Sequence, residues 1–256
     1  MTDGSSHTPV RGTIVVTGAS RGIGAAIALE LARRGFLVVC LSRSGDLPGG
    51  SVELRRQLHP AACDITVESE LAQAFKDASG LPGGLIGLVN SAGQYKAGRS
   101  EAFSLPDFED LFRVNAVALF AACRLAYPYL KAAGKGTIVN IGSVFERLGV
   151  ANNACYCATK AAVGALTRAL ASEWARDNIA VIDLAPGYVK TGMNESYLER
   201  DDVKAYLRRQ VPLGRATLPG EIAGLTAMLF ESDARILTGQ TLFADGGHSM
   251  AHGNTR

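Results

Sequence analysis

The stretch that most constrains this chain is Thr17 to Gly24, T-G-A-S-R-G-I-G. It follows the apolar run Thr13-Ile14-Val15-Val16, whose β-branched residues suit a buried strand. It precedes Ala25 to Ala32, rich in helix formers, with Ile23, Ile27 and Leu31 spaced to share one helix face. Strand, glycine turn and helix in this order put backbone N–H groups at a helix N-terminus, where they bind a phosphate. Gly18 serves the tight turn, Gly22 the close approach of a pyrophosphate, and Gly24 the packing of helix on strand. The spacing is G-x-x-x-G-x-G rather than the commoner G-x-G-x-x-G.

Strand-like and helix-like segments alternate from there on. Strands are expected at 36–41, ending near Cys63, at 85–89, 137–141, 180–184 and 241–244. Between them lie a helix over 67–78 capped by Thr66, a long helical region over 107–132 interrupted near Pro128, and helices over 154–175 and 219–230. Continuous apolar strands alternating with helices imply an α/β fold, a seven-stranded parallel sheet covered on both faces. Ligands of such sheets sit beyond the carboxyl ends of the strands.

Composition narrows the partners. With 256 residues, 47% hydrophobic and 20% charged, the chain can fill one large core, and no linker divides it. The expected organisation is a flexible tail over 1–10 and a single domain over 11–256, with a lid at about 190–213. A net charge of +2 without blocks of like charge gives no reason to expect nucleic acid. No run has the length of a membrane-spanning helix, and the polar start has no signal-peptide core. Five cysteines without framework spacing fit reduced thiols in a cytoplasmic protein. No metal site is expected, since Cys155-x-Cys157 lacks a second ligand pair and the histidines show no useful spacing.

Tyr156 and Lys160 are four residues apart, stacked on one helix face. A free phenol, with a pKa of about 10, is a poor acid or base at neutral pH. A nearby cation favours the phenolate and brings it into the useful range. A second Y-x-x-x-K, Tyr127 to Lys131, spans Pro128 and lacks a serine upstream, so it reads as structural. The first copy follows Ser143, at the end of a strand in Asn140-Ile-Gly-Ser143, whose hydroxyl is placed to bond the same substrate oxygen.

Together these motifs resemble the short-chain dehydrogenases/reductases of the short single-domain subgroup, from about Arg11 to Gly247. Thr17–Gly24 matches the family's cofactor motif, and Asn90-Ser-Ala92-Gly93 its N-N-A-G turn with serine at the second position. Asn115 falls at the family's helix asparagine, Ser143, Tyr156 and Lys160 complete the catalytic four, Pro186-Gly187-Tyr-Val189-Lys-Thr191 matches the segment that closes over the nicotinamide, and Asp245-Gly-Gly247 the C-terminal D-G-G. The resemblance implies a doubly wound Rossmann fold and interconversion of a ketone or aldehyde and an alcohol. It implies Tyr156 as general acid/base, Ser143 orienting the substrate oxygen, Lys160 binding the ribose and depressing the Tyr156 pKa, and Asn115 holding a relay water. Thr17, Gly18, Ser20, Arg21, Gly22, Ile23 and Gly24 are expected to bind the coenzyme. So are Arg43, Asp64, Asn90, Ala92, Gly93, Pro186, Gly187, Val189 and Thr191.

A preference for NAD(H) calls for an acid at the end of strand two. Here that place reads Leu41-Ser42-Arg43-Ser44, and Arg43 with Arg21 suits a 2′-phosphate, so NADP(H) is expected. Candidate substrate walls are Tyr95, Val144, Phe145, Glu146 and Tyr188, with Tyr197, Val203, Tyr206 and Leu207 on the lid. The specific activity stays open between a 3-oxoacyl-(acyl-carrier-protein) reductase and a sugar or polyol dehydrogenase. A cofactor-binding regulatory protein on the same fold is the reading from a different class. The resemblance further implies a homotetramer.

Overall fold

The computed structural model describes residues 11–50 and 52–250, so the expected tail over 1–10 lies outside the described residues, as do 251–256. The strands are β1 (Thr13–Thr17), β2 (Leu37–Ser42), β3 (Leu58–Ala62), β4 (Leu85–Asn90), β5 (Gly136–Ile141), β6 (Ile179–Pro186) and β7 (Thr241–Ala244). They form one parallel sheet in the order β3-β2-β1-β4-β5-β6-β7. The helices are α1 (Gly22–Arg33), α2 (Val52–Arg55), α3 (Glu68–Ser79), α4 (Leu105–Phe112), α5 (Ala118–Ala132), α6 (Ala154–Trp174), α7 (Glu195–Leu198), α8 (Asp201–Gln210) and α9 (Pro219–Glu231). The architecture is the doubly wound α/β fold that the alternation implied.

Alternating side chains divide the core in two. Ile14, Val16, Val38, Cys40, Val139 and Ile182 face α1 and α9, meeting Ile27, Leu31, Ile222 and Ala227. Val15, Val39, Leu88, Ile138 and Val181 face α3, α5 and α6, meeting Phe75, Cys123, Leu130 and Val163. Every residue of β1, β2 and β6 is buried, which is why these strands read as unbroken apolar runs. β1 pairs with β2 through Val16↔Cys40 and with β4 through Val16↔Val89, so the chain reverses its winding beside β1. That switch point opens a crevice at the carboxyl edge.

Three local expectations change. Thr66 does not cap α3: its hydroxyl donates to Asp64 Oδ1 (2.7 Å), and Val67 precedes the helix without a side-chain cap. The 107–132 region is interrupted not at Pro128, which α5 accommodates, but at a π-helical turn over Arg113–Val117. On the lid, Val203 and Leu207 do not reach outward; with Leu198 and Val211 they form a small core against Tyr188 and Tyr206. The second tyrosine–lysine pair is structural, as expected. Tyr127 donates to Asp177 Oδ2 (2.7 Å), Lys131 to Tyr127 (3.1 Å), and Lys131 pairs with Asp177.

Gly87 in β4 shows how tightly the α9 face is filled, since a β-carbon there would overlap the Phe230 ring. Gly87→Ala is expected to cost about 1–3 kcal/mol through overpacking, measured by urea unfolding. Combined with Phe230→Leu, it is expected to cost less than the two changes summed.

Candidate active site

The sequence motifs converge at the carboxyl edge. Gly18 follows β1, Arg43 β2, Asp64 β3, Ser91-Ala92-Gly93 β4, Ser143 β5, Gly187 β6 and Asp245 β7. The glycine turn is held against the turn after β4 by Thr17, whose Oγ1 accepts from the N–H groups of Ser91 and Ala92, both at 3.1 Å. Gly18 has φ +68°, and a β-carbon there would stand 2.8 Å from Ala92 Cα, so only glycine fits the turn. At Gly24 a β-carbon would overlap the Gly18 carbonyl oxygen.

Four features test the fit to a dinucleotide. Helix α1 starts without a side-chain cap, which leaves its first N–H groups for an anion. Gly22, at φ +61°, would carry a β-carbon 3.8 Å from Thr191 Cγ2, so the glycine turn and the segment after β6 face each other. The buried Ser42 Oγ at the end of β2 has no hydrogen-bond partner. Arg21 and Arg43 are exposed and make no ion pair among the described residues, although the charge of Arg43 helps hold the Asp64 carboxyl below its usual range, after the Thr66 hydrogen bonds. These residues fit a phosphorylated dinucleotide.

Two expected coenzyme residues turn their side chains elsewhere. Asn90 Nδ2 donates inward to Asn140 Oδ1 (2.9 Å), and Asn140 in turn to Thr167 (2.9 Å), a buried network bracing β4, β5 and α6. Val189 is buried in the sheet core and bridges to Thr217. Both offer the crevice backbone only. Thr191 is fixed by Asn194, whose Oδ1 accepts its N–H (2.8 Å) and whose Nδ2 donates to Val189 O (2.9 Å). Asn194 went unremarked in the sequence because one asparagine in a polar stretch carries no signal.

Around Tyr156 the geometry is close. Ser143 stands beside the phenol and favours its ionised form, and Ser143 Oγ accepts from Phe145 N (3.2 Å). Tyr95 and Phe145 meet the Tyr156 ring edge to face, with centroids 5.0 and 5.7 Å away. Tyr95 is anchored by Asn153, its hydroxyl donating to Oδ1 at 2.8 Å. Lys160 Nζ sits 5.7 Å from the Tyr156 ring centroid and donates to Ile141 O at 2.9 Å. Burial pushes the Lys160 ammonium down to about 8, opposed by Asp183 and Glu146. The expected depression of the Tyr156 pKa by Lys160 does not appear in this arrangement. Burial raises it, the charge of Tyr95 adds to the rise, and Ser143 opposes both. Asn115, in the π-helical turn, clasps the backbone of Gln94: Oδ1 accepts its N–H (2.8 Å) and Nδ2 donates to its carbonyl (2.9 Å) and to Thr159 Oγ1 (3.2 Å). π-turns concentrate at functional sites, and this one aims a buried amide at the loop beneath Tyr95.

Comparison with known proteins agrees with this geometry. The family model described as enoyl-(acyl carrier protein) reductase matches residues 18–249. The chain belongs to the short-chain dehydrogenase/reductase family. As a member of that family it is an oxidoreductase acting on CH–OH groups. It is 33% identical over 249 residues to a tropinone reductase homolog of Arabidopsis thaliana, covering 93% of this chain and 92% of that one. It is 34% identical over 250 residues to 3beta-hydroxysteroid dehydrogenase 1 of Eggerthella lenta, covering 94% and 95%. Among solved structures, the gluconate 5-dehydrogenase of Burkholderia cenocepacia in complex with NADP and tartrate superposes with a TM-score of 0.85 at 30% identity, covering 95% of this chain and 97% of that one. No helix among the described residues of this dehydrogenase/reductase is long and apolar enough to cross a membrane, and no described group of histidine, cysteine and carboxylate side chains is arranged to hold a metal.

Because Thr17 satisfies two part-buried N–H groups at once, Thr17→Val is expected to lower stability by about 1–3 kcal/mol in denaturant unfolding. Thr17→Ser, which keeps the oxygen, is expected to stay close to the parent.

Proposed function

We propose that the chain is an NADP(H)-dependent reductase of neutral, largely apolar ketones, reversible as an alcohol dehydrogenase. The observation that carries the reading is the placement of Ser143 beside the Tyr156 phenol with Lys160 Nζ 5.7 Å from the centroid of the same ring. The bound nicotinamide supplies hydride chemistry. The protein's own part is to orient and to move a proton. Ser143 and Tyr156 direct two hydroxyls at one substrate oxygen. In reduction Tyr156 gives its proton to that oxygen as negative charge develops on it, and Ser143 stabilises the charge. In oxidation Tyr156 takes the proton back. Lys160 makes the phenolate tolerable at that moment, because an adjacent cation favours it. Thr17, Gly18, Ser20, Arg21, Gly22, Ile23 and Gly24 would hold the coenzyme phosphates with Thr191. Asp64 and the 90–93 turn would hold the adenosine side, and Pro186, Gly187 and Val189 would back the nicotinamide.

The substrate class follows from the walls. Tyr95 and Phe145 present ring edges beside Tyr156. Three lid cations are engaged elsewhere, Lys190 and Lys204 with Glu199 and Arg200 with Asp202, while Arg208 and Arg209 are exposed and make no ion pair among the described residues, so the neutral class rests on the aromatic walls. The names of two relatives, a tropinone reductase homolog and a hydroxysteroid dehydrogenase, point the same way; the gluconate 5-dehydrogenase points to a polyol acid. A homotetramer belongs to this reading on family resemblance alone, and a cytoplasmic location on the five cysteines without framework spacing.

Two measurements test it. Tyr156→Phe is expected to lower kcat by about 10²–10⁴-fold with NADPH binding nearly unchanged, read by steady-state kinetics and fluorescence titration against cyclic ketones and sugar acids. Undiminished turnover would remove Tyr156 from the mechanism. Arg43→Ala is expected to weaken NADPH by about 10–100-fold, the worth of charge-assisted hydrogen bonds, and NADH little. Equal losses would overturn the coenzyme assignment.

A further inference from the structure

Beneath Lys160 lies a feature that the proton transfer described above does not use. Asp183, in the middle of β6, is fully buried on the α6 side of the sheet, and its carboxyl and that of the half-buried Glu146, in the 3₁₀ turn after Ser143, meet at the Thr241 hydroxyl. Asp183 Oδ1 and Glu146 Oε2 are buried with no hydrogen-bond partner. The Thr241 hydroxyl, 3.1 Å from Glu146 Oε1 and 3.4 Å from Asp183 Oδ2, has one proton to give and cannot serve both. The Gly142 N–H, engaged with Leu184 O, adds only a weaker pull on Asp183. Two glycines leave the space. A β-carbon on Gly142 would overlap the Asp183 carboxylate, and one on Gly164 of α6 would stand 2.7 Å from Glu146 Oε2.

Two carboxylates that meet at one hydroxyl, each with a buried oxygen left unpartnered, do not both stay ionised, because like charges in a largely dry site repel and neither oxygen can donate. A single proton between them removes both costs. Burial and the neighbouring Glu146 carboxyl together hold the Asp183 carboxyl well above its usual range. The pair then carries one negative charge, facing one buried ammonium. Lys160 of α6 is the titratable group that faces the pair. Arg147, adjacent in sequence, turns outward over the Phe243 ring, 5.5 Å from its centroid. A buried cation without counter-charge is costly, and burial alone would drive Lys160 towards the neutral amine.

We propose that Asp183 and Glu146 form a proton-sharing carboxyl pair whose single negative charge is the buried counter-charge of Lys160, making them positioning residues for the Tyr156–Lys160 couple. The consequence for turnover rests on the oxidoreductase reading; the shared proton does not.

The test separates proton from charge. In Asp183→Asn and in Glu146→Gln the new amide donates to the remaining carboxylate, so the proton is gone and the single charge stays. In the double variant the charge goes too. Infrared spectra at neutral pH are expected to show the carbonyl stretch of a protonated carboxylic acid in the parent and its loss in either single variant. A spectrum unchanged by both single variants would overturn the pair, whatever the enzyme turns over and whether or not the double variant folds. In alcohol oxidation, both single variants are expected to keep the acid limb of the pH profile near that of the parent. The double variant is expected to move it down by about one pH unit, because removing a nearby negative charge lowers the pKa of every neighbouring group. A double-variant profile superimposable on the parent's would overturn the counter-charge role. Stability gives the same answer without turnover. A carboxyl raised in the folded state contributes stability that is fully present below its unfolded pKa of about 4 and is lost as pH rises through the folded value. Asp183→Asn is therefore expected to gain on the parent in thermal unfolding as pH increases, and a constant difference would count against the shared proton.

Discussion

The structure depends on the pairing of β1 with β2 on one side and β4 on the other. Parallel strands force every connection across a face of the sheet, so all turns that leave a strand emerge at one edge. Reversal of winding beside β1 separates two of those turns, and the Thr17 hydroxyl then ties them back together through the N–H groups of Ser91 and Ala92. The crevice is thus a product of topology, held to shape by one buried hydrogen-bond acceptor. Asn90, Asn140 and Thr167 do the same work a layer deeper, fixing β4, β5 and α6 to one another below the point where Ser143 and Tyr156 meet.

The second constraint is desolvation. Tyr156 is half-buried and Lys160 buried, and the loss of water opposes the charged form of each. A phenol and an amine so placed would serve chemistry poorly if burial alone governed them. Ser143 acts on the phenol, and the Ile141 carbonyl and the carboxyl pair act on the ammonium. The dry site strengthens each of these interactions for the same reason that it penalises the bare charges.

The fold was legible in the sequence because its signals were local and repeated. Apolar runs marked β1, β2, β4, β5 and β6, and the glycine turn fixed the first βα unit. Boundaries moved where side chains had a better partner than the one expected. Thr66 gave its hydroxyl to Asp64 rather than to a helix end, and the break in the long helix fell at Asn115 because its amide binds Gln94, while Pro128 fitted α5. The proximity of Ser143, Tyr156 and Lys160 was legible from their order. What stayed illegible was long-range pairing. Glu146 read as a pocket wall and Asp183 as a strand residue, since nothing in spacing says that residues 37 apart meet at one hydroxyl. Val203 and Leu207 likewise looked able to cover a substrate, and the fold spent them on the lid's own core.

The distribution of charge along the crevice carries the last step. At the α1 end, Arg21 and Arg43 are exposed and unpaired among the described residues, beside an uncapped helix terminus. At the Tyr156 end, aromatic edges stand over the phenol, and the nearest cation, Lys160, is turned down towards Ile141 and the carboxyl pair. Lys190, Arg200 and Lys204 of the lid face their own acids. An elongated ligand entering this crevice therefore meets positive potential at one end and an apolar wall at the other. Electrostatic complementarity sets orientation more strongly than it sets affinity. The polarity of the crevice thus specifies which end of a dinucleotide lies where, and leaves the Tyr156 end to the ketone or alcohol that those aromatic edges admit.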